Sequence, residues 1–157
     1  KKKLEMLSLE RGLPRELHEF INRLKQQYTM EIVHQKCKPK FYHEFALSKL
    51  KEENYKLAVC SNSVRNSVQV MLDKASLLNY MEFFISNQDV KKGKPDPEMY
   101  ITAIERLGLK PKECLIVEDN EHGILAAKAS GANVMEVESV EDVNYTNISK
   151  HINFFEN

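Results

Sequence analysis

Four short apolar runs punctuate the chain: YKLAVC at 55–60, FFIS at 83–86, CLIV at 114–117 and NVMEV at 133–137. Runs this short and this continuously apolar read as strands buried on both faces. Several of them in one chain call for a parallel sheet with helices on each side. The intervening segments fit that requirement. Residues 41–51 read as a helix with Phe45, Leu47 and Leu50 inward, and residues 64–77 as a helix through Val68, Met71, Leu72 and Ala75. Residues 97–107 open with Pro97, suited to a first helical turn, and Gly131 closes a helix running through Ala129. A short terminal helix with Ile148 and Ile152 inward completes the pattern. The predicted fold class is α/β, a Rossmann-like three-layer parallel sheet.

The first 36 residues have a different texture. Pro14 suits a helix start, after which Leu17, Phe20, Ile21, Leu24, Tyr28 and Ile32 form one apolar stripe on a solvent-facing helix. KCKPK at 36–40 breaks the pattern, and Pro39 marks the boundary. The predicted domains are therefore residues 1–38, helical, and 39–157, α/β.

Composition removes several function classes. The 23 basic and 23 acidic residues cancel, whereas a nucleic-acid binder working by electrostatics carries a basic excess on one face. Lys1–Lys3 read as a solvated end rather than a binding arm. No apolar stretch approaches the length of a membrane span and no signal peptide is visible, so neither a membrane nor nucleic acid is expected as partner. The three cysteines, Cys37, Cys60 and Cys114, show no CxxC spacing. Cys60 and Cys114 fall in strand-like runs, which predicts buried thiols in a reducing compartment and a cytoplasmic location. Asn144 and Asn147 match the glycosylation pattern by chance on this reading. The chain begins with Lys1 rather than Met, which admits a processed or truncated start.

Three islands carry chemistry: VCSNS at 59–63, KKGKPDP at 91–97 and IVEDNEHGILAA at 116–127. In an open parallel sheet, ligands bind beyond the carboxyl ends of strands. Ser61, Asn62 and the Glu118–Asp119 pair all fall at such ends. Ser61 offers a hydroxyl, and the backbone N–H of Asn62 precedes a helix N-terminus that attracts anions; a helix-capping role for Ser61 and Ser63 is the plainer alternative. Lys94, between Gly93 and Pro95, is suited to neutralise a phosphate, although Lys91, Lys92 and Lys94 also fit a solvated group. Two adjacent carboxylates ending an apolar strand need a cation or a lysine beside them, or Asp119 caps the next helix. His122 falls on that helix's first turn without an assigned role. His18, His34, His43 and His151 lack metal-ligand spacing and read as surface residues.

In their order, Ser, then Gly-Lys-Pro-Asp-Pro, then Glu-Asp-x-x-x-Gly-Ile-x-Ala-Ala, the islands resemble the haloacid dehalogenase (HAD) superfamily. The likeness is to its branch with an α-helical cap, which includes phosphoglycolate phosphatases and β-phosphoglucomutases. It runs from Leu13 to Val137 and includes YMEFF at 80–84 and ASGA at 129–132. The resemblance implies a Mg²⁺-dependent phosphatase acting on a small phosphorylated metabolite. By it, Ser61 and the Asn62 amide bind the transferring phosphate, and Lys94 bridges phosphate and nucleophile. Asp119 ligates Mg²⁺, and Glu118 supports the metal or Lys94. Residues 1–36 become the later cap helices.

The family's first motif, Asp-x-Asp on the first and central strand, has no counterpart in the 157 residues. The expectation is a core lacking that strand, with the strands ending at Cys60 and Val117 left with unpaired edges. Such a chain is expected to be inactive alone, and to take its strand from an N-terminal segment or a strand-donating partner. Glu31 stands where a mutase-like cap is expected to carry a basic residue, which favours a phosphatase over a phosphosugar mutase. A non-catalytic remnant with a binding role is the further alternative. A two-component receiver domain also begins with an acidic pair, but there the Ser/Thr and Lys follow the pair, whereas Ser61 and Lys94 precede it here.

Overall fold

The computed structural model describes residues 2–156 of the chain; Lys1, the first of the basic run, lies outside the described residues. Two compact units divide after Cys37. In the first, α1 (Lys2–Arg11) and α2 (Leu17–Lys36) form a helical hairpin. Gly12 makes its turn with φ +69°, a left-handed backbone that glycine adopts without steric cost. The Ser8 hydroxyl donates to Leu13 O at 2.7 Å and also pairs with His18 Nε2 at 2.7 Å. His18 is therefore a structural member of the hairpin rather than a free surface residue. The expected stripe on α2 is only partly covered: Phe20, Tyr28 and Ile32 are about half exposed, and Val33 is the fully buried residue.

The second unit alternates helix and strand in the order α3 (Phe41–Glu52), β1 (Ala58–Cys60), α4 (Arg65–Lys74), β2 (Phe83–Ile85), α5 (Glu98–Leu107), β3 (Leu115–Glu118), α6 (Glu121–Ala129), β4 (Asn133–Glu136), α7 (Tyr145–Glu156). β1 and β2 run parallel with Ala58 opposite Phe83, and β3 and β4 run parallel with Leu115 opposite Asn133. Among the described residues the sheet is thus two parallel pairs, and β1 and β3 are not hydrogen-bonded to each other. Side-chain alternation sends Leu115, Val117 and Met135 into a cluster with Ala46, Leu50 and Ile148 of α3 and α7. Ile116 and Val134 point the other way, onto Tyr100, Ala126 and Ala127 of α5 and α6. Cys60 belongs to that second cluster as well as to the group of Ile85, Met99 and Ala103, so one helix layer covers both strand pairs. Helices on both faces of parallel strands give the three layers expected.

Several boundaries differ from the sequence reading. The strand at 55–60 is three residues shorter, Ala58–Cys60, although Leu57 O still accepts from Glu82 N–H at 2.8 Å just ahead of it. α4 stops at Lys74, where Ser76 takes a left-handed φ of 59° and a 3₁₀ turn, Leu78–Tyr80, follows. Phe45 does not point inward; it is 43% exposed, stacks on Phe41 and meets Tyr145 edge to face, while Ala46 takes the buried position. Cys60 and Cys114 are half-buried rather than enclosed. Gly131 lies just past the C-cap Ser130 with φ +83°, the left-handed stop its sequence position implied. No described helix is long and apolar enough to cross a membrane.

Met99 is wholly buried between Ile85 and Ala103. Met99→Ala is expected to lower stability by about 2–5 kcal/mol, the range for emptying a packed methionine site, read as the shift of a urea denaturation midpoint.

Candidate functional site

Ser61, Asn62, Lys94, Glu118 and Asp119 line one cavity of about 450 Å³, together with Cys60, Asn120, His122, Ser139 and a wall of Val117, Val137, Val140 and Val143. Three chain segments far apart in sequence meet here because β1 and β3 end at the same level. Glu118 is the last residue of β3, and Ser61 directly follows β1.

Ladder-like pairing continues past β1, with Ser61 N–H donating to Ile85 O at 2.9 Å and Asn87 N–H to Ser63 O at 3.1 Å. The loop between β1 and α4 is therefore fixed before the helix begins. The Ser61 hydroxyl accepts from Ser63 N–H at 3.2 Å, which leaves its own proton to donate. It does not cap α4: the N-cap is Val64, with no side-chain cap bond. At the outer end of this loop Arg65 pairs with Asp89. Burial pushes the Asp89 carboxyl up, but hydrogen bonds from Ser86 and the Arg65 charge outweigh it and hold it below the usual range.

Lys94 and Glu118 are the buried charges of the site, their side chains 8% and 7% exposed. The Lys94 ammonium is paired with Glu118 Oε1, donates to Cys60 O at 3.0 Å and lies 4.7 Å from the centre of the Tyr100 ring. Tyr100 gives its hydroxyl proton to the same Glu118 oxygen. Asn120 Nδ2 donates to the other oxygen at 3.1 Å. Both Glu118 oxygens are thus engaged by neighbours, which is what a buried carboxylate requires. Burial and the Glu118 hydrogen bond push the Tyr100 phenol far above its ordinary value, so it remains a donor. Burial also raises the Cys60 thiol to about 12, with Glu118 adding to the effect and Lys94 opposing it.

Asp119 differs from its neighbour. It is exposed, and its described partner is Asn120 Nδ2 at 3.2 Å. Nor is it the cap of α6. That role belongs to Asn120, whose Oδ1 accepts from Gly123 N–H at 3.0 Å, a residue the sequence reading passed over although Asn is a preferred cap. Among the described residues, no three metal-ligating side chains cluster. Lys91 and Lys92 are exposed and stand outside the cavity lining, and His122 is exposed on its rim. His43 and His151 are committed elsewhere, to Val140 O at 3.0 Å and Asn147 O at 2.9 Å.

Besides Asn120, Tyr100 and Gly123 are site residues to which the sequence alone assigns no role. A Cβ on Gly123 would overlap the Glu118 carboxylate, so α6 approaches β3 only as glycine.

Parallel strands between helix layers, with polar groups gathered beyond the strand ends, define a doubly wound α/β protein of the kind that binds small ligands there. The chain belongs to the haloacid dehalogenase-like hydrolases, whose family profile matches residues 3–137. It is 36% identical over 113 residues to a haloacid dehalogenase-like hydrolase domain-containing protein of Arabidopsis thaliana, covering 69% of this chain and 33% of that protein. It is 34% identical over 86 residues to the phosphorylated carbohydrates phosphatase of Thermotoga maritima, covering 55% and 40% respectively. The crystal structure of an Entamoeba histolytica HAD hydrolase of family IA superposes with a TM-score of 0.79 at 19% identity, over 98% of this chain and 78% of that one. That likeness shows the fold. The chain spans a third to two fifths of the length of the two curated relatives.

Gly123→Ala separates packing from helix propensity. An exposed Gly→Ala in a helix stabilises by about 0.5–1 kcal/mol. Here the displaced Glu118 is expected to reverse the sign and cost about 1–3 kcal/mol, checked by denaturant titration of the two proteins side by side.

Proposed function

We propose that this cavity is the phosphate- and metal-binding half of a phosphomonoester hydrolase acting on a small phosphorylated metabolite. The observation that carries the reading is the meeting of Ser61, Lys94 and Asp119 in one cavity. In this reading the Ser61 hydroxyl and the Asn62 backbone N–H donate to phosphoryl oxygens, with the α4 N-terminus behind them. Lys94 supplies positive charge in a partly water-excluded place, where it acts more strongly than in solvent. Glu118 holds Lys94 in position rather than serving the metal, since Lys94, Tyr100 and Asn120 already occupy its oxygens.

The donor set suits Mg²⁺, which takes one or two carboxylates and completes its shell with water and substrate phosphate. Asp119 would hold it, and the bound ion would offset charge on the phosphoryl oxygens. A metal with a single protein carboxylate binds weakly without substrate, in keeping with the lack of a three-ligand cluster among the described residues. The residues of this chain thus bind and orient phosphate but include no Asp-x-Asp nucleophile pair. Turnover by these 157 residues alone is therefore not expected, and an aspartate-bearing strand would have to be added. Kinship with a phosphorylated carbohydrates phosphatase supports a sugar phosphate as the first substrate class to try.

The test uses the chain joined to an Asp-x-Asp strand segment, with Mg²⁺ and a panel of sugar phosphates, following release of inorganic phosphate. Asp119→Asn and Lys94→Ala are each expected to lower the rate by roughly a hundredfold or more with little change in the denaturation midpoint for Asp119→Asn. Wild-type rates would remove either residue from the phosphate and metal chemistry. Isomerised sugar phosphate without free phosphate would identify a mutase instead.

A further inference from the structure

We infer that the Asn62 side chain is a positioning residue, clasping the backbone of Lys94 so that the Lys94 ammonium is delivered to the phosphate site. The inference rests on the phosphate reading above and assigns the side chain a task separate from that of the Asn62 backbone N–H.

The clasp is reciprocal. Lys94 N–H donates to Asn62 Oδ1 at 2.9 Å, and Asn62 Nδ2 donates to Lys94 O at 3.1 Å. A primary amide offers an acceptor and a donor side by side, which matches the N–H and C=O of a single residue. Aspartate lacks the donor and alanine lacks both. With both ends of the amide engaged, the side chain is not free to bind phosphate itself unless the clasp opens.

The remaining ties of the Lys94 loop lead elsewhere. The Glu98 carboxylate accepts from Lys91 N–H at 2.8 Å and Lys92 N–H at 2.9 Å, and Glu98 N–H donates to Asp96 Oδ1 at 3.0 Å. These bonds join the loop to the start of α5, not to β1. Asn62 ties it to the β1 end. The Lys94 side chain then returns to the same place, its ammonium donating to Cys60 O at 3.0 Å, two residues before Asn62. Cys60, Ser61, Asn62 and Lys94 thereby close a small ring, in which a shift of the Lys94 backbone is passed to its ammonium.

Gly93 carries the independent mark of this arrangement. A Cβ there would stand 2.6 Å from Asn62 Oδ1, closer than carbon and oxygen approach without displacement. The glycine is thus required for clearance against the clasp.

The experiment compares wild type, Asn62→Ala, Gly93→Ala, Lys94→Ala and the Asn62→Ala/Lys94→Ala double variant of the 157-residue chain. Two quantities are read: the acetylation rate of each lysine by mass spectrometry, and the affinity for inorganic phosphate by calorimetry. Opening the clasp frees a side chain now 8% exposed. Lys94 is therefore expected to acetylate about tenfold faster in Asn62→Ala and in Gly93→Ala, as loss of about 1.4 kcal/mol of restraint implies. Exposed Lys128 serves as the unchanged control. Phosphate affinity is expected to fall about tenfold in Asn62→Ala, yet Asn62→Ala is expected to cost nothing further once Lys94 is alanine. A further loss in that background would overturn the proposal, because Asn62 would then act without Lys94. Equal Lys94 acetylation rates in wild type and both clasp variants would overturn it too. If wild type does not bind phosphate, or Lys94→Ala leaves its affinity unchanged, the phosphate reading fails, and the acetylation rates still decide whether the clasp exists.

Discussion

A lysine and a glutamate, both more than nine-tenths buried, sit where two strand pairs end, and the arrangement around them follows from the need to keep them there. Unpaired, either charge would cost several kcal/mol in such surroundings, roughly 3–5 kcal/mol by the usual result of deleting one partner. The chain meets that demand from four directions: a strand carbonyl from Cys60, a phenol from Tyr100, an amide from Asn120, and helix α6 packed close through Gly123. The first two come from β1 and α5, and the last two from α6 and its N-cap. The ion pair therefore specifies how β1, α5, β3 and α6 sit against one another.

The same commitment explains why adjacent carboxylates end with different duties. Glu118 closes β3 on the face it shares with Ile116, turned toward Tyr100 of α5. Asp119 is the first residue past the strand and faces outward. A dipeptide of two acids at a strand end is thus a device for placing one charge inside, to hold a lysine, and one outside, at the cavity. Asn120 completes it by capping α6 while steadying both acids.

Much of this was legible in the amino-acid sequence, and the reason is periodicity. YKLAVC, CLIV and NVMEV carry a strand signal strong enough to place Ser61 and Asp119 at carboxyl ends, and the Gly and Pro positions bracket Lys94. What sequence could not supply was direction. Phe45 belongs to an apolar set by type, yet Ala46 holds the buried place because α3 meets α7 on that turn. The stripe on α2 reads as a packing face, but Tyr28 and Ile32 stand half exposed. Tyr100 looks like any aromatic on an amphipathic helix, and its hydroxyl partner lies eighteen residues on, at the end of β3. Gly123 carries no sign of its role, since its φ is ordinary and only the proximity of Glu118 forbids a side chain. The break between the two strand pairs was visible only as an absent motif.

The thiol of Cys60 lies in the wall of the same cavity, its pKa pushed up to about 12 by burial. At neutral pH the thiol keeps its proton, whereas its anion is the species that peroxides and electrophiles attack. Oxidants that disable enzymes through a reactive sulfur find no such target beside Lys94. The sulfur in that wall is inert filling, and the polar groups gathered beside it are oxygen and nitrogen donors, which oxidants of thiols leave unchanged.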